Sequence, residues 1–180
     1  MIRFSDNNIS KAGLEDAGVI AVLLNRAYRG EASLAGWTTE AGMIAGEIRT
    51  MPKEVEDLIQ QPNSVFLKYK NPEIVGCVNL QQHENQLYLG MLSVSPELQN
   101  AGIGKKLLAA AEEYASSINC ISIYMTVISK RKELIDWYKR HGYVDTGVRK
   151  PFEEDEKSGR HLEKLEFLIL KKLLQKLPVG

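Results

Sequence analysis

The run Gln99-Asn100-Ala101-Gly102-Ile103-Gly104-Lys105 joins an apolar, strand-like stretch to a helix-like one, and it constrains this chain more than any other segment. Two glycines separated by one residue let backbone N–H groups turn inward without Cβ clashes. The helix that follows adds its own unpaired N–H groups and the positive end of its dipole. Such a turn can cradle a phosphate or pyrophosphate. Taken alone, it reads better as a tight strand-to-helix connection. Two other phosphate motifs fail. A dinucleotide fingerprint needs a third glycine where Leu107 stands, and a P-loop needs Gly at 99 and Ser or Thr at 106, where the chain has Gln99 and Lys106.

The pattern around the loop is mixed. Residues 14–29 put Ile20, Leu23, Leu24, Ala27 and Tyr28 on one helical face, with Gly30 as a stop. Residues 31–50 carry Gly36, Gly42 and Gly46 and fit no single element, although Thr39 followed by Glu40 could start a helix. Thr50 and Pro52 open another helix, with Val55, Leu58 and Ile59 turned inward. Residues 64–70 and 74–80 read as strands joined by a turn at Asn71-Pro72-Glu73. A polar break at 81–86 leads to a third strand, 87–94, so an antiparallel meander is expected. On that third strand Leu87, Leu89 and Met91 share one parity, while Leu92 and Val94 share the other. Either a β-bulge near 90–92 restores sidedness, or the strand is buried on both faces.

Residues 105–116 form a clear helix, and Ile121, Ile123, Met125 and Val127 then alternate along a strand. Strand–helix–strand of this length implies a parallel pair with a right-handed crossover. Ser129 is placed to cap the next helix and Gly142 to end it. Residues 143–148 and 162–170 read as the last strands, joined by the polar loop 149–161. The expected class is α/β: a meander plus a parallel pair, built on one mixed sheet.

At 180 residues one domain, 1–180, is the natural expectation. Lys plus Arg and Asp plus Glu are equal at 23 each, which argues against a nucleic-acid protein held by bulk charge. No apolar run approaches membrane-spanning length, and the first residues lack the apolar core of a signal peptide. Cys77 and Cys120 lie far apart inside apolar runs, which reads as buried free thiols in a reducing cytoplasm. His83, His141 and His161 are scattered, and no metal-ligand spacing exists, so no metal is expected.

The stretch Val94-Ser95-Pro96-Glu97-Leu98-Gln99-Asn100-Ala101-Gly102-Ile103-Gly104-Lys105-Lys106-Leu107-Leu108 resembles the acetyl-CoA-binding motif of the GNAT superfamily of N-acetyltransferases. A second segment agrees. Leu134-Ile135-Asp136-Trp137-Tyr138-Lys139-Arg140-His141-Gly142-Tyr143 looks like the family's later helix, which ends in a tyrosine and then a Gly-aromatic pair. The resemblance is good from Leu87 to Gly147. It implies a GNAT-like fold whose central strands splay around a bulge, so that the pantetheine arm of acetyl-CoA can bond freed backbone groups. It also implies cofactor contacts at Leu92, Val94, Gln99, Asn100, Ala101, Gly102, Ile103, Gly104 and Lys105.

By the same resemblance, the chain transfers acetyl from acetyl-CoA directly to an amine acceptor. The acceptor is a small molecule or a peptide, with no nucleic acid or membrane partner, and a homodimer stays open. Two competing readings are a CoA-binding sensor without catalysis and a transferase using a longer acyl-CoA. Tyr138 takes the family's position near the cofactor sulfur, where it would protonate the leaving thiolate; its helical pairing with Leu134 also fits a plain core aromatic. Arg131 stands where many members carry an Asn that contacts the cofactor, and Lys130 and Lys132 flank it in the first helical turn, against the helix dipole. It reads as facing the cofactor or an acidic substrate group. Tyr28 and Trp37, with the loop 149–161, would edge the acceptor site, Trp37 being otherwise an ordinary aromatic. No general base is identified. The bulge region holds Tyr88, Gly90 and Met91 and no acid, and Glu31, Glu40, Glu47 and Glu84 read as solvated surface charges.

Overall fold

A computed structural model describes residues 1–154 and 159–175. The strands are β1 (Ile9–Lys11), β2 (Ser64–Lys70), β3 (Ile74–His83), β4 (Gln86–Val94), β5 (Ser122–Ile128), β6 (Val144–Phe152) and β7 (Leu165–Leu173). The helices are α1 (Ala17–Tyr28), α2 (Pro52–Gln60), α3 (Ile103–Ser117) and α4 (Lys132–Arg140). The strands form one sheet in the order β1-β2-β3-β4-β5-β7-β6. All neighbours are antiparallel except β4 and β5, which run parallel around the α3 crossover.

Strand alternation separates two cores. Val65, Leu67 and Tyr69 on β2, and Val78 and Leu80 on β3, pack with Leu107, Leu108 and Ala111 of α3 and Leu134 and Tyr138 of α4. Phe66 and Cys77 point the other way, against Ile20, Leu24 and Ala27 of α1 and Val55 of α2. Full burial of a side chain such as Leu107 or Phe66 is worth about 1.5–3 kcal/mol. Helix α1 is entered through Asp16, whose Oδ2 accepts the Gly13 N–H at 2.9 Å and the Lys68 ammonium at 2.6 Å.

The bulge is present. Asn79 pairs with Gly90 but Cys77 pairs with Ser93, so Met91 and Leu92 together oppose Val78 alone. Met91 is the irregular residue, at φ 53°. It packs toward α1 and α2, while Leu89 before it and Leu92 after it both face the α3 core.

Several expected boundaries move. The polar residues Gln81, Gln82 and His83 are strand, paired with Tyr88, Leu87 and Gln86, because β3 runs past the helices that cover its start. Ile121 lies outside β5 and is exposed. Ser129 does not cap α4; the N-cap is Arg131, with no side-chain capping bond. Strand β6 continues through Phe152, and β7 begins at Leu165 rather than 162. The expected loop 149–161 is thus partly strand, and its residues 155–158 lie outside the described residues.

Candidate functional site

Strands β4 and β5 pair only at Gln86↔Ser122, Leu87↔Ile123 and Tyr88↔Tyr124. Beyond these pairs β4 continues to Val94 and β5 to Ile128 without partnering each other, so the sheet splays open at its centre. Two cavities meet at this opening. The first, of about 510 Å³, is lined by the Gln99, Asn100, Gly102, Gly104 and Lys105 loop, by Leu92, Ser93 and Val94 of β4, and by Leu134 and Trp137 of α4. The second, of about 280 Å³, is lined by Tyr28, Glu40, Arg49, Met91, Leu92, Arg131, Leu134 and Tyr138 among others. Leu92 and Leu134 line both.

The loop at the mouth of the first cavity is built for an anion. Gly102 is the N-cap of α3 in the left-handed region, φ 82°, and Asn100 precedes it at φ 81°. The Ala101 N–H bonds to Leu98 O and the Lys106 N–H to Gly102 O. Among the described residues, no acceptor engages the N–H groups of Gly102, Ile103, Gly104 and Lys105. They stand at the positive end of a helix, as phosphate recognition requires. A Cβ added to Gly104 would lie 3.2 Å from Trp137 Cζ2, so the Trp137 ring packs directly over this glycine and would have to shift for a larger residue. These features fit the pyrophosphate end of a CoA donor.

Gln99 lines the first cavity and also braces its wall. Its Oε1 accepts the Trp37 N–H at 2.8 Å, and its Nε2 donates to Thr38 Oγ1 at 2.8 Å and to Val94 O at 3.1 Å. It ties the segment after α1 to the end of β4. Two carbonyls near the bulge are also engaged: Leu92 O accepts the Tyr28 hydroxyl, and Val94 O accepts from Gln99.

Tyr138 is buried, with its ring edge-on to Trp137 and Tyr143 at centroid distances of 5.1 and 5.7 Å. Burial pushes its phenol well above the ordinary value of 10, and neighbouring Tyr28 adds to this while Arg131 opposes it. The group therefore stays protonated throughout the ordinary working range. Tyr28 is raised in the same sense by burial, against the pull of Arg131 and Arg49.

Glu40 is not a surface charge. It is 6% exposed. Its carboxylate lies 3.3 Å from Arg29 Nε, 3.8 Å from Arg49 Nε and 3.6 Å from Arg131 Nη1. Arg131 also donates to Thr38 O and lies over the Tyr28 ring at 5.4 Å. It thus faces the second cavity and does not line the first. Trp37 does the reverse. It lines the first cavity, packed 6.0 Å from Trp137, and not the second, where Tyr28 stands. From the loop expected to edge the acceptor site, Phe152 reaches the second cavity.

Trp137, Arg49 and Glu40 escaped the sequence reading. For Trp137 a signal existed: a glycine in the loop needs a large partner to pack against it. For Arg49 and Glu40 none existed, because no regular element sets their spacing and Arg131, which completes the cluster, lies far along the chain.

A family model described as the acetyltransferase (GNAT) family matches residues 32–143. The chain belongs to that family. It is an acyltransferase, and enzymes of this family draw on acyl-CoA donors. Solved structures share the fold at low identity. The ribosomal-protein-S18-alanine N-acetyltransferase from Escherichia coli superposes with TM-score 0.69 at 14% identity, covering 96% of this chain and 96% of that one. An acetyltransferase of the GNAT family from Streptococcus pneumoniae gives 0.64 at 20%, covering 93% and 98%. Ard1 from Thermoplasma volcanium gives 0.68 at 16%, covering 93% and 97%. Among the described residues, no cluster of His, Cys, Asp and Glu could hold a metal ion, and no helix is long and apolar enough to cross a membrane.

Proposed function

We propose that this GNAT acyltransferase moves an acetyl group from acetyl-CoA directly to an amine held in the second cavity. The observation that carries this reading is the junction of the two cavities at Leu92 and Leu134, with Tyr138 lining the amine side. The bound thioester supplies the acetyl group. The free N–H groups of residues 102–105 hold its pyrophosphate, with Lys105 adding positive charge at the rim. Trp37, Trp137 and Val94 line the passage with apolar surface. As the neutral amine nitrogen bonds the acetyl carbon and the C–S bond breaks, Tyr138, held protonated, donates its phenolic proton to the departing thiolate; the nitrogen gives up its extra proton to solvent, from which Tyr138 is reprotonated. Neither cysteine competes as a nucleophile: burial pushes the Cys77 thiol up to about 12, and Cys120 is also raised by burial.

The test is acetyl-CoA turnover by the full chain over a panel of amines, namely amino acids, polyamines, aminoglycosides and peptide N-termini. Transfer to at least one class is expected. Tight CoA binding with no transfer to any class overturns the reading.

A further inference from the structure

Arg49 stands out in the second cavity. Its side chain is 25% exposed, and it lies 4.8 Å over the Tyr28 ring. Its ion-pair partner is Glu40, whose Oε1 lies 3.8 Å from Nε, beyond hydrogen-bond distance; that oxygen already pairs with Arg29, and Glu40 Oε2 with Arg131. Among the described residues, its backbone N–H donates to Asn25 Oδ1, but no hydrogen bond uses a guanidinium donor. Arginine brings five N–H donors in a planar fork. Burying most of such a group without acceptors is costly, and a fork left open faces what it is shaped to bind. The other acid in this cavity, Glu54, is turned aside: its Oε2 accepts from Thr50 Oγ1 at 2.9 Å and forms no ion pair with Arg49. The adjoining wall is apolar, with Met91, Met125, Phe152 and Phe167.

We infer that the acceptor is a small amine carrying a carboxylate, which Arg49 grips as a bidentate pair while the amine points to the Leu92–Leu134 junction. This rests on the acetyl-transfer reading above and names the substrate class for it. The planar guanidinium fork matches a carboxylate with two parallel N–H···O bonds, and charge-assisted pairs are about twice as strong as neutral ones. The cavity of about 280 Å³ suits a ligand of amino-acid size. The Tyr28 ring fixes the plane of the guanidinium from one side, which lowers the ordering cost of binding.

The experiment compares matched acceptors: an amino acid, its carboxamide, its decarboxylated amine and its aminophosphonate analogue, across several side chains. For the wild-type chain, kcat/KM should favour the carboxylate over the carboxamide by at least about tenfold, with the difference in KM. In R49Q that ratio should fall toward one, and R49K should recover part of it. A wild-type ratio near one, or a preference for the phosphonate, overturns the carboxylate assignment while leaving acetyl transfer standing. Retention of the full ratio in a folded R49Q assigns the grip elsewhere and also overturns it. If R49Q does not fold, the wild-type ratio alone decides. Failure of every amine with intact CoA binding is the separate result that removes the functional reading, and this inference with it.

Discussion

The Tyr138 hydroxyl makes no hydrogen bond among the described residues, although its ring is packed against Trp137 and Tyr143. The two roles open to this residue therefore separate cleanly. A core tyrosine with an unbonded hydroxyl loses little stability on conversion to Phe, because the ring contacts remain and no hydrogen bond is broken. A general acid loses rate. Tyr138→Phe should lower kcat by about a hundredfold, with Tm and acetyl-CoA affinity nearly unchanged. A kcat equal to wild type, where chemistry limits the rate, would assign the proton to water or another group. The pH profile follows from the raised phenol. An acid must be protonated, and this one holds its proton to above pH 10, so Tyr138 itself should impose no alkaline fall in kcat below pH 10. A second titration works at the start of α1. Burial raises the Asp16 carboxyl, but the Lys68 hydrogen bond and the Gly13 N–H outweigh it and leave it below the usual 3.8. A depressed carboxyl stabilises the fold above its unfolded value and loses that contribution as pH falls through its folded value. Acid unfolding of Asp16→Asn, followed by circular dichroism, should be less steep below about pH 4 than wild type. Parallel curves would remove Asp16 from the acid response.

The loop at 99–105 and the helix behind it work as one element. At Gly102 a side chain meets open space but a left-handed backbone, while at Gly104 it meets Trp137 at 3.2 Å. Gly102→Asp should therefore combine backbone strain of about 1 kcal/mol with charge repulsion, and Gly104→Ala should push α4 outward. Calorimetry should show CoA affinity falling at least about tenfold in Gly102→Asp, with the chain still folded; wild-type affinity would move the phosphate site off this loop. This element was legible in the sequence because all its information is local: two glycines, a strand before and a helix after. The bulge was legible for the same reason, since the parity of Leu89 and Leu92 differs while both are buried. Strand β6 was not. Its residues are mostly exposed at the sheet edge, so no burial alternation marked its continuation from Val148 to Phe152. The insertion of β7 between β5 and β6 is a long-range pairing that no local pattern carries.

At the scale of the whole molecule, the site is assembled by side chains that cross the fold. Gln99 reaches from the end of β4 to Trp37 and Thr38, and Arg131 reaches from the start of α4 to Thr38 and Glu40. Residues 37–40 are thereby pinned between the cofactor loop and α4, although this segment has no regular structure of its own. In the sequence it looked ambiguous for that reason. Gly36, Gly42 and Gly46 around it weakened every local pattern, and Gln99 and Arg131, which brace it, lie far away along the chain. Glu40 is the hub: its carboxylate faces Arg29, Arg49 and Arg131. Removing one partner of a buried charge cluster leaves the others uncompensated and costs about 3–5 kcal/mol. At about 2–4 °C per kcal/mol for a chain of this size, Glu40→Ala should lower Tm by roughly 6–20 °C. The double variant Glu40→Ala/Arg131→Ala should recover part of that loss, because one fewer guanidinium is stranded, and the recovery measures the coupling between the two. Both variants should also bind CoA more weakly, since the segment that Gln99 and Arg131 hold carries Trp37 in the wall of the cofactor cavity. A Glu40→Ala protein that melts with wild type, or a double variant whose losses simply add, would mean that Gln99 and backbone bonds alone hold this segment in place.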